Sequence, residues 1–273
     1  MADMNRRPIA VFDSGLGGLT TVRALRRLLP GEPIVYFGDT GRVPYGGRSV
    51  VTITHYALQD AAFLNTFDPK LIIAACGTVS SIALDAVRGV CSVPVLGVVE
   101  PAARAALSLT RSGRVGLLGT AATIRSGAYE RAISSLGGSV TVHPKACPLF
   151  VPLVENGRIH RGDIVTETVV GEYLAPLKEA GVDTLILGCT HYPLLSDLIG
   201  DFMGPDTALV DVGEACVRKA RAILEEHSAL SDEEQGQVRY FVSDTPSDFA
   251  HTASLFLGED ISNSVQEIDI NHY

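Results

Sequence analysis

Ten short apolar runs punctuate this chain, and segments of helical periodicity separate most of them. The runs are PIAVF (8–12), PIVYF (33–37), KLIIAA (70–75), VPVLGV (93–98), RVGLLG (114–119), SVTVHP (139–144), DTLILG (183–188), TALVD (207–211), VRYFVS (238–243) and SVQEIDI (264–270). Continuous apolar runs of this length read as strands buried on both faces. Residues 19–29, 81–87, 125–136, 163–178 and 214–226 repeat their apolar positions at helical spacing. Strands that alternate with helices pair in parallel and carry helices on both faces of the sheet, so the class is α/β.

An approximate internal repeat divides the chain. The first half opens on a strand and turn, IAVFDSGLGGL, and later offers LIIAACGTVSS; the second opens on VGLLGTAATIRS and later offers LILGCTHYPLL. Asp13 precedes Cys76 by about as many residues as Thr120 precedes Cys189. This predicts two similar doubly wound, mostly parallel α/β domains related by pseudo-twofold symmetry. Residues 1–99 with a return at 209–273 form the first, and 100–208 the second. Ligands bind at the carboxyl edge of such sheets, so a site between two such edges would grip its ligand from opposite sides.

Composition limits what the site can be. With 46% hydrophobic and 19% charged residues, the 273-residue chain is globular. Its formal charge of −9, without a long Lys/Arg cluster, argues against nucleic acid or an anionic membrane as the main partner. The basic N-terminal stretch MADMNRRPIAVFDSG has its apolar run cut short by Asp13, which fits neither a secretory signal nor a span, so a cytoplasmic location is expected. Five cysteines, with no C-x-x-C pair, point to thiols, not disulfides or structural zinc, and no metal site is expected.

Cys91, Cys147 and Cys216 fit small core or loop positions. Cys76 and Cys189 differ, because each follows a strand and precedes a small-polar segment that opens a helix. Free backbone N–H groups and the positive end of a helix dipole there favour a thiolate. Two separated thiols without a cofactor motif suit one chemistry in particular. Inverting an α-carbon needs a base on one face and an acid on the other, and cysteine serves either role near neutral pH.

The motifs DSGLGGL (13–19), FGDTGRVPYG (37–46), AACGTVSS (74–81), GLLGTAATI (116–124), LVENG (153–157) and LGCTHYPLL (187–195) together resemble those of the glutamate racemases, of the aspartate/glutamate racemase superfamily. The resemblance extends from about residue 9 to 257, including RYFVSDTP. It implies a cofactor-independent enzyme that interconverts L- and D-glutamate and supplies D-glutamate for peptidoglycan. Cys76 and Cys189 would be the bases for the D and L enantiomers respectively, Asp13 and His191 would assist them, and Glu155 would support His191. Ser14, Pro44, Tyr45, Gly46, Gly77, Thr78, Thr120 and Thr190 would line the substrate pocket. The family usually carries Asn after its first catalytic cysteine; here the residue is Gly77. The resemblance further implies a homodimer and, because some members interact with DNA gyrase, that partner as well.

Taken singly, several of these residues have plainer readings. Asp13 fits an N-cap or Asx-turn, the three threonines fit helix caps, Tyr45 a turn, His191 a structural histidine and Glu155 a surface charge. An acidic protein must capture a dicarboxylate with local amides, hydroxyls and helix N-termini. Other motifs match less well. Gly15, Gly17 and Gly18 with Asp39 hint at dinucleotide binding, but Thr20 occupies the third glycine position, and no G-K-[ST] follows. Ile82 stands where a phosphatase loop needs arginine, and a Cys-His hydrolase centred on Cys189 leaves Cys76 idle. The rivals are racemisation of aspartate or another acidic amino acid, against which GCTH stands where aspartate racemases tend to carry GCTE, and a non-catalytic binding or regulatory protein on the same fold.

Overall fold

The computed structural model describes residues 4–273. The first three residues, part of the N-terminal stretch read above, lie outside the described residues. Every apolar run of the sequence becomes a strand: β1 (Ile9–Asp13), β2 (Ile34–Gly38), β3 (Leu71–Ala74), β4 (Val95–Gly97), β5 (Arg114–Gly119), β6 (Thr141–Ala146), β7 (Thr184–Leu187), β8 (Ala208–Asp211), β9 (Val238–Val242) and β10 (Val265–Glu267).

These strands form two sheets, ordered β10-β9-β2-β1-β3-β4 and β6-β5-β7-β8. All ladders are parallel. Each residue of β1, β2 and β3 is buried, as a sheet covered on both faces requires. Alternate residues serve opposite faces. Ile9, Val11, Ile34, Tyr36, Leu71 and Ile73 join a core that continues through Val115, Leu117 and Leu185 of the second sheet. Ala10, Phe12, Val35, Phe37, Ile72 and Ala74 pack into a second core, on the far side of the first sheet. The sheets are thus joined through one continuous apolar interior.

The helices depart from the sequence reading in two ways. The segments expected at 81–87 and 125–136 are each parts of helix pairs. Gly77–Ile82 and Leu84–Val90 meet at Ala83, and Ala121–Ser126 and Ala128–Ser135 meet at Gly127, whose φ of 62° ends a helix in the left-handed region that glycine tolerates. Helices at Val50–Asn65, Val99–Leu109, Phe150–Glu155 and Pro246–Leu257 lie outside that reading, and the helix expected to open behind Cys189 begins as a 3-10 turn at Tyr192–Leu195, continued by Ser196–Met203. Val50–Asn65 opens on VVTIT, whose β-branched residues favour strands, yet Ser49 caps it by accepting from Thr52 N at 3.2 Å, and its buried face packs on the first sheet. Among the described residues no helix is long and apolar enough to cross a membrane.

Candidate active site

In each sheet one pair of neighbouring strands sends its connections in opposite directions, and a crevice opens there beyond the carboxyl ends. In the first sheet the pair is β1 and β3. Asp13 ends β1, and Cys76 lies two residues past β3 at the start of the helix Gly77–Ile82. In the second the pair is β5 and β7. Thr120 follows β5 and caps the helix Ala121–Ser126, accepting from Thr123 N at 3.2 Å, while Cys189 lies two residues past β7. The repeat seen in the sequence is therefore a repeat of switch points.

The two crevices face a single cavity of about 480 Å³. Both cysteines line it, with Ser14, Gly77, Thr78, Thr120, Thr190, His191 and Glu155, and so does the Pro44–Gly46 loop. Asp13 does not. It is buried behind the wall, accepting from Gly15 N at 3.1 Å and from Thr190 Oγ1 at 3.4 Å, and so ties the glycine-rich turn to the Cys189 loop. Cys147, expected at a small core or loop position, is fully buried and also lines the cavity. Half of the signal that marks Cys76 and Cys189 is present for it too, since it directly follows β6 at the same carboxyl edge, but Pro148, Leu149 and Phe150 stand where those two have small polar residues.

The two sulfurs sit in different electrostatic settings. Burial, helped by the charge of Asp13, pushes the Cys76 thiol up to about 12, against a hydrogen bond toward Ser14 Oγ at 3.5 Å. Cys189 Sγ lies 3.9 Å from Nδ1 of His191, whose Nε2 meets Oε1 of Glu155 at 2.9 Å. Burial alone would pull His191 down; its hydrogen bonds to Cys189 and Glu155, and the charges of those groups, outweigh burial and raise it to about 10. At neutral pH His191 therefore keeps its proton. Phe256, fully buried, stands edge-on to its ring at 5.3 Å and fixes its plane. Asp13, whose pKa is raised by burial, is opposed by the positive charge of His191.

A buried cluster anchors the Pro44–Gly46 loop. The Tyr45 hydroxyl lies between Asp39, to which it makes a short hydrogen bond, and Asp60, 3.2 Å away. Arg42 reaches Asp39 at 2.6 Å and Asp60 at 3.0 Å. Burial, then the charge of Asp39, raises Asp60 well above the ordinary carboxylate range. The Tyr45 hydroxyl donates to Asp39 and faces Asp60 as a second acceptor. Tyr45 thus lines the cavity while its hydroxyl is committed to this cluster.

Thr78 and Thr120 hydroxyls meet at 3.1 Å across the cavity floor and join the two halves. Among the described residues no group of three or more His, Cys, Asp or Glu side chains could hold a metal ion.

The family model for Asp/Glu/Hydantoin racemases matches residues 20–220, well over half of the sequence. This chain belongs to that racemase family. It is an amino-acid racemase similar to a glutamate racemase of Geobacter metallireducens, 48% identical over 95% of this chain and 96% of the relative. Its fold superposes on a crystal structure of the glutamate racemase isoform RacE1 from Bacillus anthracis with a TM-score of 0.92, at 38% identity over 97% of this chain and 98% of that one. A Francisella tularensis glutamate racemase in complex with D-glutamate matches with a TM-score of 0.90, at 35% identity, covering 98% of this chain and all of that one.

Proposed function

We propose that this racemase interconverts L- and D-glutamate with two thiols and no cofactor, and so supplies D-glutamate for peptidoglycan in the cytoplasm. The observation that carries the reading is the delivery of Cys76 and Cys189 from the two switch points into one cavity. The names of its relatives, one of them bound to D-glutamate, supply the substrate. The division into 1–99 with 209–273 and 100–208 belongs to this reading. The two sheets fit this division except at its second boundary: β8 pairs with β7 along its whole length, so the second domain runs on to Asp211 and the return begins after it, not at 209.

For L-glutamate, the thiolate of Cys189 takes the α-proton and the electron pair stays on the substrate as an enolate-like carbanion. Cys76 then gives its proton to the opposite face, leaving D-glutamate, a Cys76 thiolate and a Cys189 thiol. The reverse reaction exchanges the roles. The resting arrangement suits the L to D direction, because Cys76 holds its proton and protonated His191 offers a Cys189 thiolate a cationic neighbour. Asp13 assists Cys76, and Glu155 keeps His191 oriented. The rims at Ser14, Gly77, Thr78, Thr120 and Thr190, with the Pro44–Gly46 loop, hold the two carboxylates and the amino group by hydroxyls and backbone N–H groups. A homodimer and an interaction with DNA gyrase, both implied by the family resemblance, are part of the proposal.

The test is racemisation in heavy water, started from each enantiomer in turn, without pyridoxal phosphate. Deuterium should appear at the α-carbon of the inverted product from both directions, and Cys76→Ala or Cys189→Ala should each abolish inversion. Undiminished inversion in either variant would overturn the assignment.

A further inference from the structure

The residues that immediately adjoin the two cysteines touch each other. A Cβ placed on Gly77, next to Cys76, would lie 2.3 Å from the carbonyl oxygen of Gly188 and 3.8 Å from Cα of Cys189. Gly77 is helical, outside the left-handed region, so its backbone conformation does not require glycine. Space does.

Neither loop has slack of its own. Gly188 N donates to Leu118 O at 2.8 Å, and a Cβ at Gly188 would meet that oxygen at 2.5 Å, so this loop is pressed onto β5. On the other side Ala75 N donates to Phe12 O and Ser80 N to Cys76 O, each at 2.9 Å. Any side chain at 77 must therefore be accommodated by moving one cysteine loop from the other. At the floor, the Thr78 to Thr120 hydroxyl contact of 3.1 Å bridges the same gap and would stretch with it.

We propose that Gly77 is a positioning residue which sets the separation of the two sulfurs, allowing the cysteine loops to meet backbone to backbone where any side chain would hold them apart. The inference rests on the two-thiol reading above. A side chain at 77 displaces one sulfur by roughly 1 Å relative to the other, and a misplacement of that order costs about a hundredfold in a reaction that depends on alignment. The loss should fall on kcat in both directions, with KM less affected, since proton abstraction and delivery both depend on the span between the thiols.

The experiment compares wild type, Gly77→Ala and Gly77→Asn, each verified as folded by thermal melting. Two readouts are taken: kcat and KM for both enantiomers, and bridging of the thiols by dibromobimane, a short bifunctional alkylator, with the bridged pair identified by peptide mass spectrometry. Wild type should bridge Cys76 to Cys189. Both variants should bridge this pair at least tenfold more slowly, favouring a longer bis-maleimide, and lose about 10- to 100-fold in kcat. Wild-type protein that bridges Cys76 and Cys189 only with the longer reagent would overturn the inference even if no variant folds. Variants that match wild type in kcat and in bridging would overturn it while leaving the two-thiol reading intact. Wild-type protein in which neither reagent joins Cys76 to Cys189 would remove both.

Discussion

His191 donates from Nε2 to Oε1 of Glu155 at 2.9 Å, on the side of the imidazole away from Cys189. The carboxylate is 39% exposed, whereas the ring is nearly enclosed, so the pair connects a partly hydrated charge to a buried sulfur. This relay accounts for the proton that His191 retains in spite of its burial.

Glu155→Gln keeps the shape of the relay and removes its charge. The pKa of His191 should fall from about 10 toward its ordinary range, and the alkaline limb of kcat/KM for L-glutamate should move to lower pH with it. At neutral pH the loss should be roughly tenfold, the equivalent of one charge-assisted hydrogen bond of about 1.5 kcal/mol. A pH–rate profile that does not move would rule out the relay.

Asp13 stands behind the cavity wall and its charge raises Cys76, so Asp13→Asn should separate two effects. The thiol becomes easier to ionise and should react faster with iodoacetamide at pH 8. Racemisation from D-glutamate should nonetheless fall by about 100-fold, the lower end of the contribution of a positioned acid or base. Slower alkylation in the variant would contradict the electrostatic role of Asp13.

The strands and the two cysteine loops were legible in the sequence for one physical reason. A parallel strand buried on both faces has no polar side, so Leu71–Ala74 and Thr184–Leu187 stand out from their surroundings without any help from periodicity. The helices were harder. Val99–Leu109 follows β4 almost at once, so its apolar start merges with the strand, and Val50–Asn65 carries strand-forming residues that tertiary packing overrides. Asp13 could be placed at the end of a strand but not behind the wall, because its depth depends on where Thr190 arrives from the other half. The Tyr45 cluster was hidden likewise. Asp60 lies on a helix that had not been anticipated, and nothing local marks it as the partner of Asp39 and Arg42.

That cluster yields a contrast between variants. Burial raises Asp60 well above the ordinary carboxylate range, so Asp60→Asn, neutral and still able to accept from the Tyr45 hydroxyl, should cost less than about 1 kcal/mol of stability. Arg42→Ala removes the cation that, among the described residues, pairs with both of these fully buried carboxyl groups and should cost about 3–5 kcal/mol, while raising KM through the loosened Pro44–Gly46 loop. Urea unfolding midpoints and KM for both enantiomers report the two effects. Equal damage from the two substitutions would mean that Asp60 is ionised.

The relay also predicts how stability depends on pH. His191 titrates near 10 in the folded protein and near 6.5 when unfolded, so the folded state binds its proton more tightly. The resulting stabilisation is complete below about pH 6.5 and is lost as pH rises through the folded value near 10. The urea midpoint should therefore decline between pH 7 and pH 10; the thiols of Cys76, Cys147 and Cys216, which burial pushes up to about 12, add to the same decline, so the share of His191 is read from the difference between wild type and Glu155→Gln. In Glu155→Gln the decline should be shallower and should end at lower pH, because less of the proton affinity remains to be lost. A wild-type midpoint that is flat over this range would mean that His191 is neutral in the folded protein, and Cys189 would then lack its cationic neighbour.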